Sequence, residues 1–300
     1  MKVLVTGSKG FVGRRLMPGL AEAGHLVSGF DRDRVDICDP EAVTRAVAEA
    51  KADAVIHLAG ISFIPAAAHS PDLARRVNVG GAKNLIRAIE SETPRARLLL
   101  VGSGDQYEPA ATSAAPLDEN ARLVPRGPYA ESKAAAETLA MAATERGLEV
   151  IRIRAFNHTG PGQEPQFVAP DFAGQIARIE AGASPLMRVG NLDSVRDFLH
   201  VEDVVAAYIS LLSPHVEPGI YNVASGVGTR IGEILELLAA QARVAPEILI
   251  DEKRWRPSDA RVGDARKLQK ATGWSPRVSL AATLSELLEY WRKRIRTEEG

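Results

Sequence analysis

The stretch Thr6-Gly7-Ser8-Lys9-Gly10-Phe11-Val12-Gly13 constrains the fold more than any other part of the chain. It follows a short run, 2–6, with an apolar centre. It opens a segment, 11–23, in which Phe11, Leu16 and Leu20 fall near helical spacing and Gly24 follows as a C′ residue. Strand, glycine turn and helix in this order read as a dinucleotide-binding entry to a parallel sheet. Gly7 permits a tight turn, Gly10 allows a pyrophosphate close to the backbone, and Gly13 lets the helix lie against the sheet. Phe11 and Val12 stand at the helix start, where free amides and the positive end of the dipole suit phosphate oxygens. With 25 glycines in 300 residues this spacing arises by chance about 0.17 times per chain, so its placement carries the argument.

Further β-rich runs at 25–31, 54–58, 97–102 and 148–154 alternate with helical patterns, leaving room for four covering helices. The expected fold is α/β: a Rossmann-type doubly wound parallel sheet with a smaller α/β domain. Pro161, Gly162, Pro165 and Pro170 mark a boundary, which places one domain at 1–160 and a second at 161–300. The second contains a strand-turn-helix at 197–212, a buried strand at 220–224 and amphipathic helices at 231–242 and 280–294. The part 197–224 is expected to return to the first domain. Residues 297–300 read as a short disordered tail.

A net charge of -1 gives no general field for nucleic acid or an anionic membrane. The single cysteine, Cys38, can form no internal disulfide and cannot by itself supply a thiolate zinc site, so no metal is expected. No apolar run is long enough for a signal peptide or a membrane span. These features point to a cytoplasmic protein.

Asp31 ends the second strand eighteen residues beyond Gly13, where its carboxylate suits the adenosine ribose hydroxyls and favours NAD. Arg32 follows and leaves NADP open, if the carboxylate turns away from a 2′-phosphate. Asp36 and Ile37 lie where an adenine is held, and Leu58, Ala59 and Gly60 offer small side chains beside the cofactor. Tyr129 and Lys133, four apart in a helix-forming segment, share one face. A tyrosine near pKa 10 needs about three units of help to exchange protons at pH 7, and a cation such as Lys133 has the right sign. Ser103, ending the fourth strand, suits a hydrogen bond to the reacting oxygen. His57, His158 and His200 are read as structural groups.

Together these residues resemble the extended short-chain dehydrogenase/reductases, a family of nucleotide-sugar epimerases, dehydratases and reductases. The resemblance rests on 6–13, His57-Leu58-Ala59-Gly60, Asn78-Val79-Gly80-Gly81, 103–107, 129–133, 154–163, Arg196-Asp197-Phe198 and Arg256-Pro257. It implies Ser103, Tyr129 and Lys133 as the catalytic set, Asn78 as a support beside the cofactor, and a nucleotide-sugar-binding second domain. The run 154–163, with Val168 and 189–192, is similar to the branch that reduces GDP-linked 4-keto-6-deoxy-mannose. That likeness puts Asn157 and Gln163 toward the nucleotide sugar, Val168 at the base, and Arg188, Arg196 and Arg256 near the diphosphate or nucleotide. It implies NAD(P)H-dependent reduction of a C4 ketone. An epimerase or 4,6-dehydratase with tightly bound NAD and a non-catalytic dinucleotide sensor are the alternatives. The sequence departs from the pattern at Gly104, which is expected to leave room near the sugar, and at Asp105, one methylene shorter than the dehydratases' glutamate. The resemblance also implies a homodimer, with the alanine-rich face of 134–143 suited to close helix packing.

Overall fold

The computed structural model describes residues 1–110 and 115–298. Five strands, β1 (Lys2–Thr6), β2 (Leu26–Phe30), β3 (Ala54–His57), β4 (Arg97–Val101) and β5 (Val150–Ala155), alternate with helices. The helices are α1 (Gly13–Glu22), α2 (Pro40–Ala50), α3 (Ile64–His69), α4 (Pro71–Arg75), α5 (Gly81–Glu92) and α6 (Gly127–Glu145). One crossover therefore holds three helices rather than one, with a π-helical turn, Arg76–Gly80, between α4 and α5. The rest of the chain adds β6 (Asn157–Thr159), α7 (Val168–Glu180), β7 (Leu186–Val189), β8 (Val195–His200), α8 (Val201–Ser210) and β9 (Gly219–Val223). It ends with β10 (Gly228–Arg230), α9 (Ile231–Ala239), β11 (Glu247–Ile250), β12 (Ala260–Arg261), α10 (Arg266–Thr272) and α11 (Leu280–Glu298).

The main sheet has six parallel strands in the order β2-β1-β3-β4-β5-β9. Alternate residues feed opposite faces, as strand geometry requires. Val3, Val5, Ile56, Leu99 and Ile151 join one core with α1 and α8, while Leu4, Val55, Leu98 and Leu100 join another with α2, α5 and α6. A third core lies among α7, α9 and α11, around Phe172, Leu235, Leu288 and Trp291. The order of connection reverses between β1 and β3, the place where ligands meet the carboxyl ends of such sheets.

Several boundaries differ from the sequence expectations. Helix α1 starts at Gly13, because 7–12 is used by the turn, and Phe11 stands before the helix. Within 197–224, α8 and β9 join the large sheet's side of the molecule, whereas β8 pairs with β6, β10 and β12 in a separate small sheet. Strand β8 runs directly into α8, with His200 as the cap accepting the Glu202 amide. Thr297 belongs to α11, so the expected tail is helical there, and 299–300 lie outside the described residues. Among the described residues no helix is long and apolar enough to cross a membrane.

Candidate active site

The carboxyl ends of β1, β3, β4 and β5 open into a cleft of about 1230 Å³ that continues to α7, the 190–198 segment and 253–261. Its first half is the glycine turn. Gly7 has φ +74, and a Cβ there would fall 2.8 Å from the Ala59 amide nitrogen, so β1 and β3 approach too closely for a side chain. Gly13 has a different task from the one expected. Its missing Cβ would meet the Gly7 carbonyl at 2.2 Å, so it admits the turn's own backbone rather than the sheet. The Asp31 carboxylate accepts from Ser8 Oγ at 3.0 Å and from the Lys9 amide, turning toward the glycine loop, with Arg32 beside it on the cleft wall. Gly10, Phe11, Val12, Asp36, Ile37, Leu58 and Ala59 line the same half.

The second half begins where β4 ends. Ser103 caps a short 3-10 turn, Gly104–Gln106, its Oγ accepting from the Asp105 amide at 3.1 Å. That leaves the hydroxyl proton for another acceptor. Tyr129 stands in the first turn of α6, after Gly127, whose amide donates to the Glu131 carboxylate and whose φ is +83. Lys133, one turn on, donates from Nζ to the Val101 carbonyl at 3.0 Å. Gly60 lies 3.6 Å from that ammonium, measured from the position of an added Cβ.

Burial governs both ionisable groups. It raises the Tyr129 pKa; the Asp105 charge raises it further, and a hydrogen bond with Ser103 pulls the other way. Burial lowers Lys133 to about 8. Lys133 has the sign expected to help the phenolate, but desolvation is the first cause of the shift in both groups and moves each toward its neutral form. A protonated phenol is the form that donates.

Two expected residues lie away from the cleft wall. Asn78, on the π-helical turn, is buried: its Oδ1 accepts from the Ile61 amide at 2.8 Å, and its Nδ2 donates to Ile61 O and to Ser132 Oγ. Ser132 in turn donates to the Tyr129 carbonyl at 2.7 Å, so Asn78 braces the site from behind. Arg188 is exposed on β7, and Arg254 takes its place at the cleft, donating to Asp171 at 2.6 Å and to the Arg188 carbonyl. Gly104 also departs from expectation, because the Phe156 ring would lie 3.0 Å from its Cβ and fills the space. Asn157, Gln163, Val168, Arg196 and Arg256 all line the cleft with Asp105. Gln163 donates to the His158 carbonyl, while its Oε1 is buried without a partner among the described residues. Arg126, Arg254 and Arg261 are cleft cations that the motifs did not single out. Only register exposes Arg261, which β12 pairs with Arg196 on β8.

The three histidines are engaged. His57 Nδ1 lies 2.7 Å from Thr6 Oγ1, and His158 stacks on Phe11 with ring centroids 6.1 Å apart. His200 caps α8 and holds Nε2 3.3 Å from the Glu286 carboxylate.

Comparison with known proteins agrees with this geometry. The profile of the NAD dependent epimerase/dehydratase family matches residues 3–224. The chain belongs to that family. GDP-6-deoxy-D-mannose reductase of Pseudomonas aeruginosa is 39% identical over 99% of this chain and 99% of its own. The structure of RMD from Pseudomonas aeruginosa complexed with NADPH superposes with a TM-score of 0.89 at 37% identity, covering 98% of this chain and all of that one. The UDP-glucose 4-epimerase of Thermus thermophilus, complexed with NAD, gives 0.86 at 30% identity over 97% of this chain and 99% of its own. The family's nicotinamide cofactor suits the residues present: a side-chain-free turn at a helix start, a strand-end acid and an ammonium beside Gly60.

Proposed function

We propose that this protein reduces the C4 ketone of a nucleotide-linked 4-keto-6-deoxy-hexose, with GDP-4-dehydro-6-deoxy-D-mannose as substrate and GDP-D-rhamnose as product. The observation that carries this is one cleft lined by the glycine turn, Ser103, Tyr129 and a row of arginines. The full-length likeness to a GDP-6-deoxy-D-mannose reductase supports the choice of substrate. Bound reduced nicotinamide, NADH or NADPH, supplies the hydride. Gly7, Gly10, Phe11, Val12 and Gly13 hold its pyrophosphate, with Asp31, Arg32, Asp36 and Ile37 at the adenosine and Lys133 at the nicotinamide ribose. The Asp31 carboxylate, engaged by Ser8 and Lys9, leaves Arg32 free to meet a 2′-phosphate.

Tyr129 gives its proton to the developing sugar alkoxide, and Ser103 donates a hydrogen bond to the same oxygen. Asn157, Gln163 and Val168 grip the sugar and base. Arg196 and Arg256, with Arg254, face the diphosphate, where guanidinium forks match two phosphates. The substrate lies between a dinucleotide-binding unit, 1–160 with 201–224 returning, and a unit built from the rest. The protein is cytoplasmic and works as a homodimer through α6.

The test is an assay with GDP-linked 4-keto-6-deoxy-mannose and NADH or NADPH. One cofactor is expected to be oxidised per sugar reduced. Tyr129→Phe should lose at least about a hundredfold in kcat with cofactor affinity unchanged. Bound NAD with turnover but no net oxidation would support the epimerase reading instead, and cofactor binding with no turnover the sensor.

A further inference from the structure

A chain of charges crosses the cleft beside the catalytic turn. Arg261 Nη1 lies 3.4 Å from Asp105 Oδ1 and 2.8 Å from Asp259 Oδ2. Arg196 holds the other oxygen of Asp259 at 2.5 Å and bonds the Asp259 carbonyl. The Arg261 side chain is only 11% exposed, and its Nε is buried with no hydrogen-bond partner among the described residues. Burial, with Arg196 and Arg126 nearby, lowers the pKa of this guanidinium, and the Asp105 and Asp259 charges oppose that shift.

This chain joins two parts of the molecule. Asp105 belongs to the turn after β4, and Arg261 belongs to β12 in the small sheet. The Asp105 amide donates to Ser103 Oγ, so fixing Asp105 fixes the oxygen whose proton must point at the substrate. The pair also has an electrostatic effect. Negative charge builds on Tyr129 as its proton leaves, and the Asp105 carboxylate stands against that charge.

We propose that Arg261 is a positioning residue for the reduction: it pins Asp105 across the cleft and cancels a carboxylate charge that opposes proton release by Tyr129. The assignment rests on the reading of Tyr129 as proton donor. Lys133 on α6 and Tyr208 on α8 also face Tyr129, while Asp259, Arg196 and Arg126 surround Arg261. A single substitution would mix these influences, and a double-mutant cycle separates them.

The cycle uses the full-length protein, GDP-linked 4-keto-6-deoxy-mannose and the reduced cofactor. Arg261→Gln is expected to lower kcat about tenfold, with GDP and cofactor dissociation constants within about twofold of wild type. In the Asp105→Asn background the same substitution should cost less than about twofold, because the charge it balanced is gone. Arg261→Lys, which keeps the charge but not the guanidinium fork, is expected to recover part of the loss seen in Arg261→Gln. A tenfold loss that persists in the Asp105→Asn background would overturn the proposal, as would a parallel loss of GDP affinity, because Arg261 would then act on the substrate directly. Tyr129→Phe is run alongside: full activity in that variant would remove the proton-donor reading itself, and this assignment with it.

Discussion

His57 sits between the glycine turn and Lys133, and burial decides its character. The Thr6 hydroxyl accepts from the Ala59 amide and lies 2.7 Å from His57 Nδ1, which suits a neutral imidazole accepting the Thr6 proton. Desolvation first, and the Lys133 charge second, bring its pKa down to about 3. Between the ordinary value of 6.5 and about 3 the unfolded chain therefore binds a proton that the folded chain does not, so stability falls as pH falls through this window. His57→Asn should be less stable than wild type at pH 7, yet lose less on going to pH 5, as read by denaturant unfolding at both pH values. An equal loss in both proteins would place the acid sensitivity elsewhere. At this scale the sequence was most legible where spacing maps onto geometry. Tyr129 and Lys133 share a helix face because they are four apart, and Gly7 sits at a strand end because the apolar run stops there. Arg188 and Arg254 were not separable, since their exchange depends on β7 and β11 pairing in parallel, which leaves the Arg188 carbonyl to receive the Arg254 guanidinium. Gly104 misled for a related reason: the absence of a side chain was visible, but the Phe156 ring occupying the space comes from the link between β5 and β6, about fifty residues on.

Helix α6 carries Tyr129 and Lys133, and its position is set from behind by a buried ion pair. Arg154 on β5 donates to Glu137 through Nε at 3.0 Å and Nη2 at 2.6 Å, with side chains 3% and 10% exposed. The same guanidinium lies 4.8 Å from the centre of the Tyr107 ring, whose hydroxyl donates to Asn222 on β9. One pair thus ties α6, β5, the turn after β4 and β9 together. Glu137→Gln leaves the guanidinium buried without its counter-charge and should cost about 3–5 kcal/mol of stability, measured by denaturant unfolding. A change below about 1 kcal/mol would mean that α6 is held by its apolar face alone. Strands β1, β3 and β4 were legible because strands covered on both faces are apolar at nearly every position, whereas β2 lies at the sheet edge and is exposed or half-buried along most of its length. Helices α3 and α4 and the π-helical turn were not, since elements of five or six residues give too little periodicity to read. Asn78 on that turn gained its bracing role from bonds to Ile61 and Ser132, which no local pattern encodes.

At the scale of the whole molecule three apolar cores surround one cleft, and an outer face of α6 is exposed. Ala135, Thr138 and Met141 are exposed there at three-residue spacing, a small and partly apolar stripe. The proposed homodimer uses this stripe, so Thr138→Arg should shift a dimeric wild type toward monomer by analytical ultracentrifugation. A monomeric wild type, or a variant that stays dimeric, would place the association elsewhere or remove it. The α/β sheet architecture was readable from the alternation of strand and helix patterns. The division of labour at β8 was not, because the strand's partners, β6, β10 and β12, are short and come from both sides of it in the chain.

The central claim is that this cleft carries hydride to a sugar carbon while Tyr129 supplies the proton. Reduced cofactor dideuterated at the C4 position of its nicotinamide ring, incubated with the enzyme and GDP-linked 4-keto-6-deoxy-mannose, tests it most directly. The account predicts one deuterium at C4 of the product hexose for each cofactor oxidised, read by mass spectrometry and NMR. Product formed without deuterium at C4, or turnover that leaves the cofactor pool reduced, would contradict it.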